Sequence, residues 1–416
     1  MLVLLVAWSS RATAEILKLE LDDVIHPITA EYVAQGIAQA ELEQSAAVIL
    51  RLSTPGGLDP SMRQIIEKIL SSKVPVIVFV GPSGVRAASA GFFILLAADL
   101  AVMAPGTNTG AAHPVSIGGG KPDEVMAKKI ENDAAAYLRS LTAKRGRNAT
   151  VAEKGVTESK SFTETEALKE GLIDGVAKDV DAIVEQFDGK AVQRFDGSSI
   201  VLKLKGESIR SLEMSVRQRV LAKALNPNIA LILGLVGLMG LYIEFTQPGL
   251  ILPGVAGGLC LFLAMVALSI LPVNALGVAF IIAAVVLFVL EAKITSHGLL
   301  AALGIAAMVF GSLILIDSPL PELRVRLSTA VGITLPFAVI TVFLMRLVIL
   351  AHRNKSVGGE EGLLTETGIA LTDIDGEGKI RVHGEIWQAN SETPISAGEQ
   401  VKVLAVDGMK LRVGKL

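Results

Sequence analysis

From Ile229 to Ala351 the chain is almost free of charged side chains, and this block constrains everything on either side of it. About 20 apolar residues in helical form cross a hydrocarbon core. The block divides into five such spans: 229–245, 250–271, 273–291, 298–316 and 329–351. The breaks are "TQPG" after Phe245, Pro272, "EAKITSH" (291–297) and "DSPLPELRVRLS" (317–328). Buried core helices would be shorter and would alternate with charged faces. Gly234, Gly237 and Gly240 recur at i, i+3 and i+6, a small-residue face suited to close helix contact. Glu244 and Glu291 stand near span ends, where snorkelling to the interface competes with lining a polar cavity.

The block accounts for a mean hydropathy of +0.56 over 416 residues, and the flanks read differently. Residues 15–225 have the balance of a soluble domain, 226–352 form the membrane region, and 357–416 turn polar again. A net charge of −3 offers no bulk attraction to nucleic acid. A single cysteine, Cys260, excludes disulfide frameworks and cysteine-based metal sites. The opening "MLVLLVAWSSRATA" (1–14) has an apolar run and an Ala-Thr-Ala cleavage pattern, which predicts a secretory signal; its first residues lack Lys or Arg. Export of 15–225 and five spans place the C-terminus in the cytoplasm. "HRNK" (352–355) and Lys293 then lie inside, in keeping with the positive-inside rule, while Arg324 and Arg326 lie outside against it.

The tail alternates in short segments, "GIALTDI", "KIRVHGEIWQA", "EQVKVLAV" and "MKLRVGKL", separated by "DGEG" (375–378), "SAG" (396–398) and "DG" (407–408). That spacing predicts a small all-β barrel of the OB-fold kind. With Trp387 as its sole aromatic residue and no basic cluster, the tail suits a structural or protein-binding role better than nucleic acid.

In the exported domain, "ILKLEL" (16–21), "AAVILRL" (46–52), "VPVIVFV" (74–80) and "LAVMA" (100–104) read as strands, with helices over 29–44 and 61–72, N-capped by Thr29 and Ser61. Alternating strands and helices predict an α/β domain around a parallel sheet, with functional groups at the strands' carboxyl ends. Two turns stand there: "STPGGL" (53–58) and "GPSGVRAAS" (81–89), the latter leading into a helix at Ser89 or Ala90. A serine at a helix start is most often an N-cap. The same position offers free N–H groups to an oxyanion. The G-x-S-x-G elbow is absent, since Ala87 replaces its first glycine. Phe92, Phe93 and Leu95 follow on the same helix and read as core. A nucleophile needs a base. The available groups are His26, His113 and the pair Lys128–Lys129 on an amphipathic helix, 124–148, whose apolar stripe is Ile130, Ala134, Tyr137, Leu138 and Leu141. Lys129 borders the stripe and Lys128 faces away from it. A lysine acts as base only where desolvation or a nearby cation lowers its pKa, and most helix lysines are simply solvated.

Taken together, "STPGGL", "VRAASAGFFILLAAD", "GTNTGAAHPV", "KKIENDAAAYLRSLTAKRGRN", "EALKEGLID", "GLMGLYIEFTQPGLILPGVAG" and "GEIWQA" resemble the membrane-bound serine proteases of the NfeD family (ClpP-class, nodulation-efficiency proteins) along nearly the whole chain. The resemblance implies a Clp-protease/crotonase-like exported domain, a membrane block and a cytoplasmic OB-fold. It implies Ser89 as nucleophile and Lys129, with Asn132, as the base element. The implied oxyanion hole is the backbone around Gly56, Gly57 and Ala90, with donors on Gly57 and Ala90 and Gly56 shaping the turn. It implies no metal or other cofactor, a homodimer or larger assembly, and a stomatin- or prohibitin-like membrane partner whose apolar segment is the peptide substrate, in membrane-protein quality control.

His113, twenty-four positions after Ser89, keeps a Ser89–His113 pairing open, with Asp174 or Asp179 as its acid. A non-catalytic membrane scaffold with a degenerate protease fold is the rival from another class. A crotonase-type acyl-CoA enzyme is a weaker one, since no nucleotide-recognition pattern accompanies the membrane block.

Overall fold

Runs such as "AVILRLS" and "VIVFV" are apolar at every position, the pattern of strands buried on both faces. The computed structural model describes residues 15–115, 123–246, 251–294, 296, 298–318, 320–336, 338–339, 343, 363–364 and 366–416. The signal-like segment 1–14 and residues 344–351 of the last predicted span lie outside them.

The first half runs β1 (Ile16–Asp22), α1 (Pro27–Glu43), β2 (Ala47–Ser53), α2 (Asp59–Ser71), β3 (Val76–Val80), β4 (Arg86–Ala88), α3 (Ala90–Ala97), β5 (Leu100–Met103) and β6 (Asn108–Gly110). It continues with α4 (Glu124–Lys144), α5 (Ala149–Thr157), β7 (Ser161–Thr163), α6 (Glu164–Lys169), β8 (Gly175–Val176), α7 (Val180–Phe187), β9 (Ala191–Gln193), β10 (Ser199–Val201), β11 (Ile209–Leu212) and α8 (Val216–Ala224). Six strands form a parallel sheet in the order β11-β1-β2-β3-β5-β8. Alternate residues serve two cores. Leu17, Val48 and Val78 face α1 to α3, while Ile16, Ile49 and Ile77 face the opposite cluster with Ile183 and Phe187. Strands β4, β6 and β7 make a small second sheet at the carboxyl edge of the first. At the opposite, amino end of the strands, buried Asp99 accepts from Arg145 (2.6 Å), Arg194 (2.7 Å) and the Val76 amide (2.8 Å).

Both predicted N-caps move. His26 caps α1 in a reciprocal box in which Thr29 is the third helical residue, and Leu58 precedes α2. Pro27 and Pro60 fit the first helical turn, where no N–H is needed, and so draw each start upstream. Helix α4 stops at Lys144 instead of reaching 148, because Gly146 turns at φ +67° and Arg145 and Arg147 are drawn into the interior.

The apolar block contains α9 (Pro227–Thr246), α10 (Ile251–Ile270), α11 (Ala275–Lys293) and α12 (Leu299–Ile314), and residues 327–336 are helical again. Helices α9 and α10 are long and apolar enough to cross a membrane; the apolar stretches of α11 and α12, 275–291 and 299–314, are shorter. Gly237 and Gly240 let α9 touch α10: a Cβ on them would lie 2.7 Å from the Leu261 amide nitrogen and 2.6 Å from the Pro253 carbonyl. Glu291 is buried. It caps α12, accepting from the Gly298 (3.0 Å) and Ala301 (3.2 Å) amides and from the Ser296 hydroxyl. The Asn274 amide donates to Leu315 (2.8 Å) and the Asp317 amide to Pro272 (3.0 Å), so α12 ends beside the start of α11.

The tail is a separate unit, a closed barrel of β12 (Thr367–Ala370), β13 (Ile374–Val382), β14 (Glu385–Ile395), β15 (Gln400–Asp407) and β16 (Lys410–Lys415) in the order β12-β13-β14-β16-β15. "DGEG" is no turn. Gly376, at φ +86°, makes an irregularity within β13, and pairing with β14 continues past it. The reversal instead uses His383 and Gly384, both at positive φ, as a two-residue hairpin loop.

Candidate active site

The turn after β2 and the strand leading to Ser89 are stitched together. The Thr54 amide donates to the Arg86 carbonyl (2.8 Å), and the Ala88 amide donates to Thr54 (3.0 Å). The Thr54 hydroxyl bonds both the amide and the carbonyl of Gly56, each at 3.1 Å. This claims the Gly56 N–H, which is therefore not free to meet an oxyanion. At φ +123°, a Cβ on Gly56 would sit 2.6 Å from the Ser89 Cβ.

Gly57 is different. The Ile25 amide donates to the Gly56 carbonyl and the Leu58 amide donates to the Ile25 carbonyl, both at 2.8 Å. A parallel bridge of this kind uses the peptides flanking Gly57, so its own N–H points to the other edge. Ala90 opens α3, where the first N–H groups have no intrahelical acceptor. Neither the Gly57 nor the Ala90 N–H has a protein acceptor among the described residues.

Ser89 lines the same cleft as Gly57 and Ala90, at φ 53° and ψ −115°, with no side-chain cap bond to α3. Its amide is held by the Gly110 carbonyl (3.1 Å), and its carbonyl accepts from Phe92 (3.0 Å). The hydroxyl is therefore not spent on capping, and it opens into a cleft of about 560 Å³.

Lys129 lines the same cleft from α4, and Lys128 does not. Lys129 is exposed and forms no ion pair among the described residues. Asn132 is exposed on α4 and does not line the cleft. In the extended segment after β6, Ala112 and Pro114 line the cleft, whereas His113 does not; its Nδ1 lies 3.0 Å from the Val156 carbonyl. Asp174 is bound to Arg147 (2.7 Å) and to the Ala101 amide (2.7 Å), and Asp179 caps α7. Both carboxylates thus have structural employment.

Three residues read as core belong to the cleft: Ile130, Ala134 and Phe93. Ile130 is 41% exposed, because α4 leaves the body of the domain before Ala134, and Phe93 lines the wall even though it is buried. A charged cluster at the edge escaped sequence reasoning. Arg63 donates to Asp59 (2.8 Å) and to Asp133 (2.7 Å) and lies over the Tyr137 ring at 4.3 Å. Burial opposes its charge, but the two carboxylates outweigh it and raise its pKa; burial also pushes the Tyr137 hydroxyl up. The Asp59–Arg63 spacing of four was a readable signal, whereas Asp133 lies seventy positions from Arg63. Leu320, from the segment after α12, also lines the cleft. Nothing in the sequence ties it to Ser89.

Comparison with known proteins covers each part of the chain. Residues 16–195 match the family model for the NfeD1b N-terminal domain, 228–347 that for the NfeD integral membrane domain, and 360–415 that for the NfeD-like C-terminal, partner-binding domain. The membrane-bound protease PH1510 of Pyrococcus horikoshii is 34% identical over 391 residues, which is 91% of this chain and 88% of that protein. The membrane protein NfeD1b of Bacillus subtilis is 26% identical over 422 residues, 93% of this chain and 90% of that one. Among solved structures, a lysine-to-alanine mutant of the 1510-N membrane-bound stomatin-specific protease, in complex with a substrate peptide, is 33% identical. It covers 51% of this chain and 98% of its own, with a TM-score of 0.48.

Proposed function

The chain belongs to the NfeD family of membrane proteins, and on that premise we propose that it is a membrane-bound serine endopeptidase with a Ser89–Lys129 dyad. Its substrate on this reading is an apolar segment of a stomatin-like membrane protein, cut in the course of membrane-protein quality control. One observation carries the proposal: a Ser89 hydroxyl not spent on capping shares a cleft with Lys129 and with Gly57 and Ala90, whose backbone N–H groups have no protein acceptor among the described residues.

Ser89 Oγ attacks the peptide carbonyl carbon, and its proton passes to Lys129 Nζ. The carbonyl oxygen takes the negative charge and is held by the Gly57 and Ala90 N–H groups. The C–N bond then breaks, the amine leaves with the proton from Lys129, and an acyl-Ser89 ester remains. Water attacks the ester, again giving a proton to Lys129, and Ser89 is regenerated as the acid departs. A lysine performs this only where water is excluded, and Lys129 is exposed in the single chain. The bound peptide and a second copy of the chain supply that exclusion. Val125 and Met126, 66% and 48% exposed on the same helix, offer the apolar surface such a contact needs.

The barrel is read as an OB-fold on its strand order and on the parallel pairing of β14 with β16. Five crossings place it in the cytoplasm, opposite the exported protease domain.

The test is cleavage of an apolar peptide by the full-length chain. Ser89→Ala and Lys129→Ala each lose at least about a hundredfold in kcat/KM, and His113→Ala stays within a few-fold. Equal cleavage by all the variants overturns the dyad in favour of a scaffold. Loss in His113→Ala with activity kept in Lys129→Ala installs the histidine pairing.

A further inference from the structure

We propose that the segment following α12 is a wall of the substrate cleft, with Leu320 selecting a large apolar side chain of the bound peptide. The inference rests on the peptide-cleaving reading of the same cleft, but it concerns binding and not the chemical step.

Leu320 lies six residues beyond the last residue of α12 yet lines the cleft that holds Ser89. It joins Met62, Phe93 and Val115 as apolar lining, so its neighbours there suit hydrocarbon. The segment is built to hold this position. Leu323 and Val325 are buried in one cluster with Leu231 of the membrane region and with Leu225 and Val24 of the sheet domain. Ile28, in the first turn of α1, packs on the same cluster. The Arg324 guanidinium donates to the Ser318 carbonyl, and the Leu320 amide donates to the Ser318 hydroxyl (3.2 Å), closing the segment on itself. The Arg326 amide donates to the Asn228 side chain at the start of α9 (2.9 Å).

A second tie runs directly to the nucleophile's strand. Glu322 pairs with Arg86 at 2.8 Å, and Arg86 lies on β4, three residues before Ser89. The Arg86 backbone carbonyl in turn anchors Thr54 of the glycine turn. One residue therefore connects the membrane region's loop with both halves of the oxyanion site. Peptide specificity is on this view shared between the sheet domain and the membrane region, and the sheet domain alone has an incomplete cleft.

Binding is measured by fluorescence anisotropy with the full chain in detergent, in a Ser89→Ala background so that nothing is cleaved. The probes are two labelled peptides of ten residues, one of leucine and valine and one of serine and glycine. Leu320→Asp should weaken the apolar peptide at least about tenfold and leave the polar one unchanged, and Leu320→Met should restore it to within about twofold. Glu322→Arg should also weaken it, and adding Arg86→Glu should recover most of the loss. With the unsubstituted chain, an apolar peptide bearing a benzophenone should cross-link within 317–326, a readout independent of how any variant folds. Unchanged affinity in Leu320→Asp, cross-links confined to residues 15–225, or no apolar preference in the parent chain overturns the proposal. Equal cleavage by the parent, Ser89→Ala and Lys129→Ala would instead sink the dyad, and the Leu320 result would stand by itself.

Discussion

Ser89 pays for its position. A non-glycine residue at φ 53° and ψ −115° is strained by about 1–3 kcal/mol, and such strain persists only where the surroundings over-determine it. Here the Ala88 and Ser89 amides are both bound, and the Gly56 backbone leaves just enough room for the Ser89 Cβ. A serine that merely capped α3 would lose about 1 kcal/mol on replacement by alanine. Since Ser89 makes no cap bond, Ser89→Ala should shift the thermal midpoint of the full chain by no more than about 2 °C. Ser89→Gly, which relieves the positive φ, should melt no lower than the parent. Circular dichroism in detergent checks both; a fall of about 5 °C in Ser89→Ala would mean that the hydroxyl supports the fold. The strain itself was invisible in "VRAAS", because the φ angle of Ser89 is imposed by partners outside that stretch, Gly56 before it and Gly110 after it.

At the scale of elements, the glycine turn, β4 and α3 act as one unit. Gly57 is its tightest point: a Cβ there would lie 2.1 Å from the Ile25 carbonyl oxygen, and backbone cannot yield as a flexible side chain does. Gly57→Ala should therefore displace the turn and, if its N–H is the oxyanion donor proposed above, lower kcat by about 10²–10³. It should also slow labelling of Ser89 by a fluorophosphonate probe to a similar degree. Normal labelling would remove Gly57 from the oxyanion site. The four strands read from the sequence, at β1, β2, β3 and β5, and helices α1, α2 and α4 were legible because their apolar periodicity is a local property. Strands β8 and β11, which complete the six-stranded sheet, are two and four residues long and carry no such pattern. Helix starts were misread at Thr29 and Ser61, where prolines one or two residues upstream outweigh a side chain that resembles a cap. In the tail, "DGEG" mimics a turn and "HG" conceals one. Only the β13–β14 register distinguishes a glycine irregularity inside a strand from a reversal at its end.

For the whole molecule, the helix ends alternate. The start of α9 and the segment after α12 meet through Asn228 and Arg326, and both meet the sheet domain through Val24 and Arg86. A reporter inserted within 317–328 should thus share a compartment with residues 15–225, and five crossings put a reporter fused after Lys355 on the opposite side. Protease accessibility in sealed vesicles decides it, and two reporters on one side would break the five-span count. What the sequence determined unaided is whatever depends on near neighbours: the apolar spans, the buried parallel strands, the barrel's short segments and the candidacy of Ser89. The tertiary structure alone decided which candidates converge. Lys129 faces the Ser89 cleft, His113 is turned to Val156, and Leu320 arrives from more than two hundred positions away. The direction of a side chain follows from long-range packing of its backbone, and local pattern carries no record of that packing.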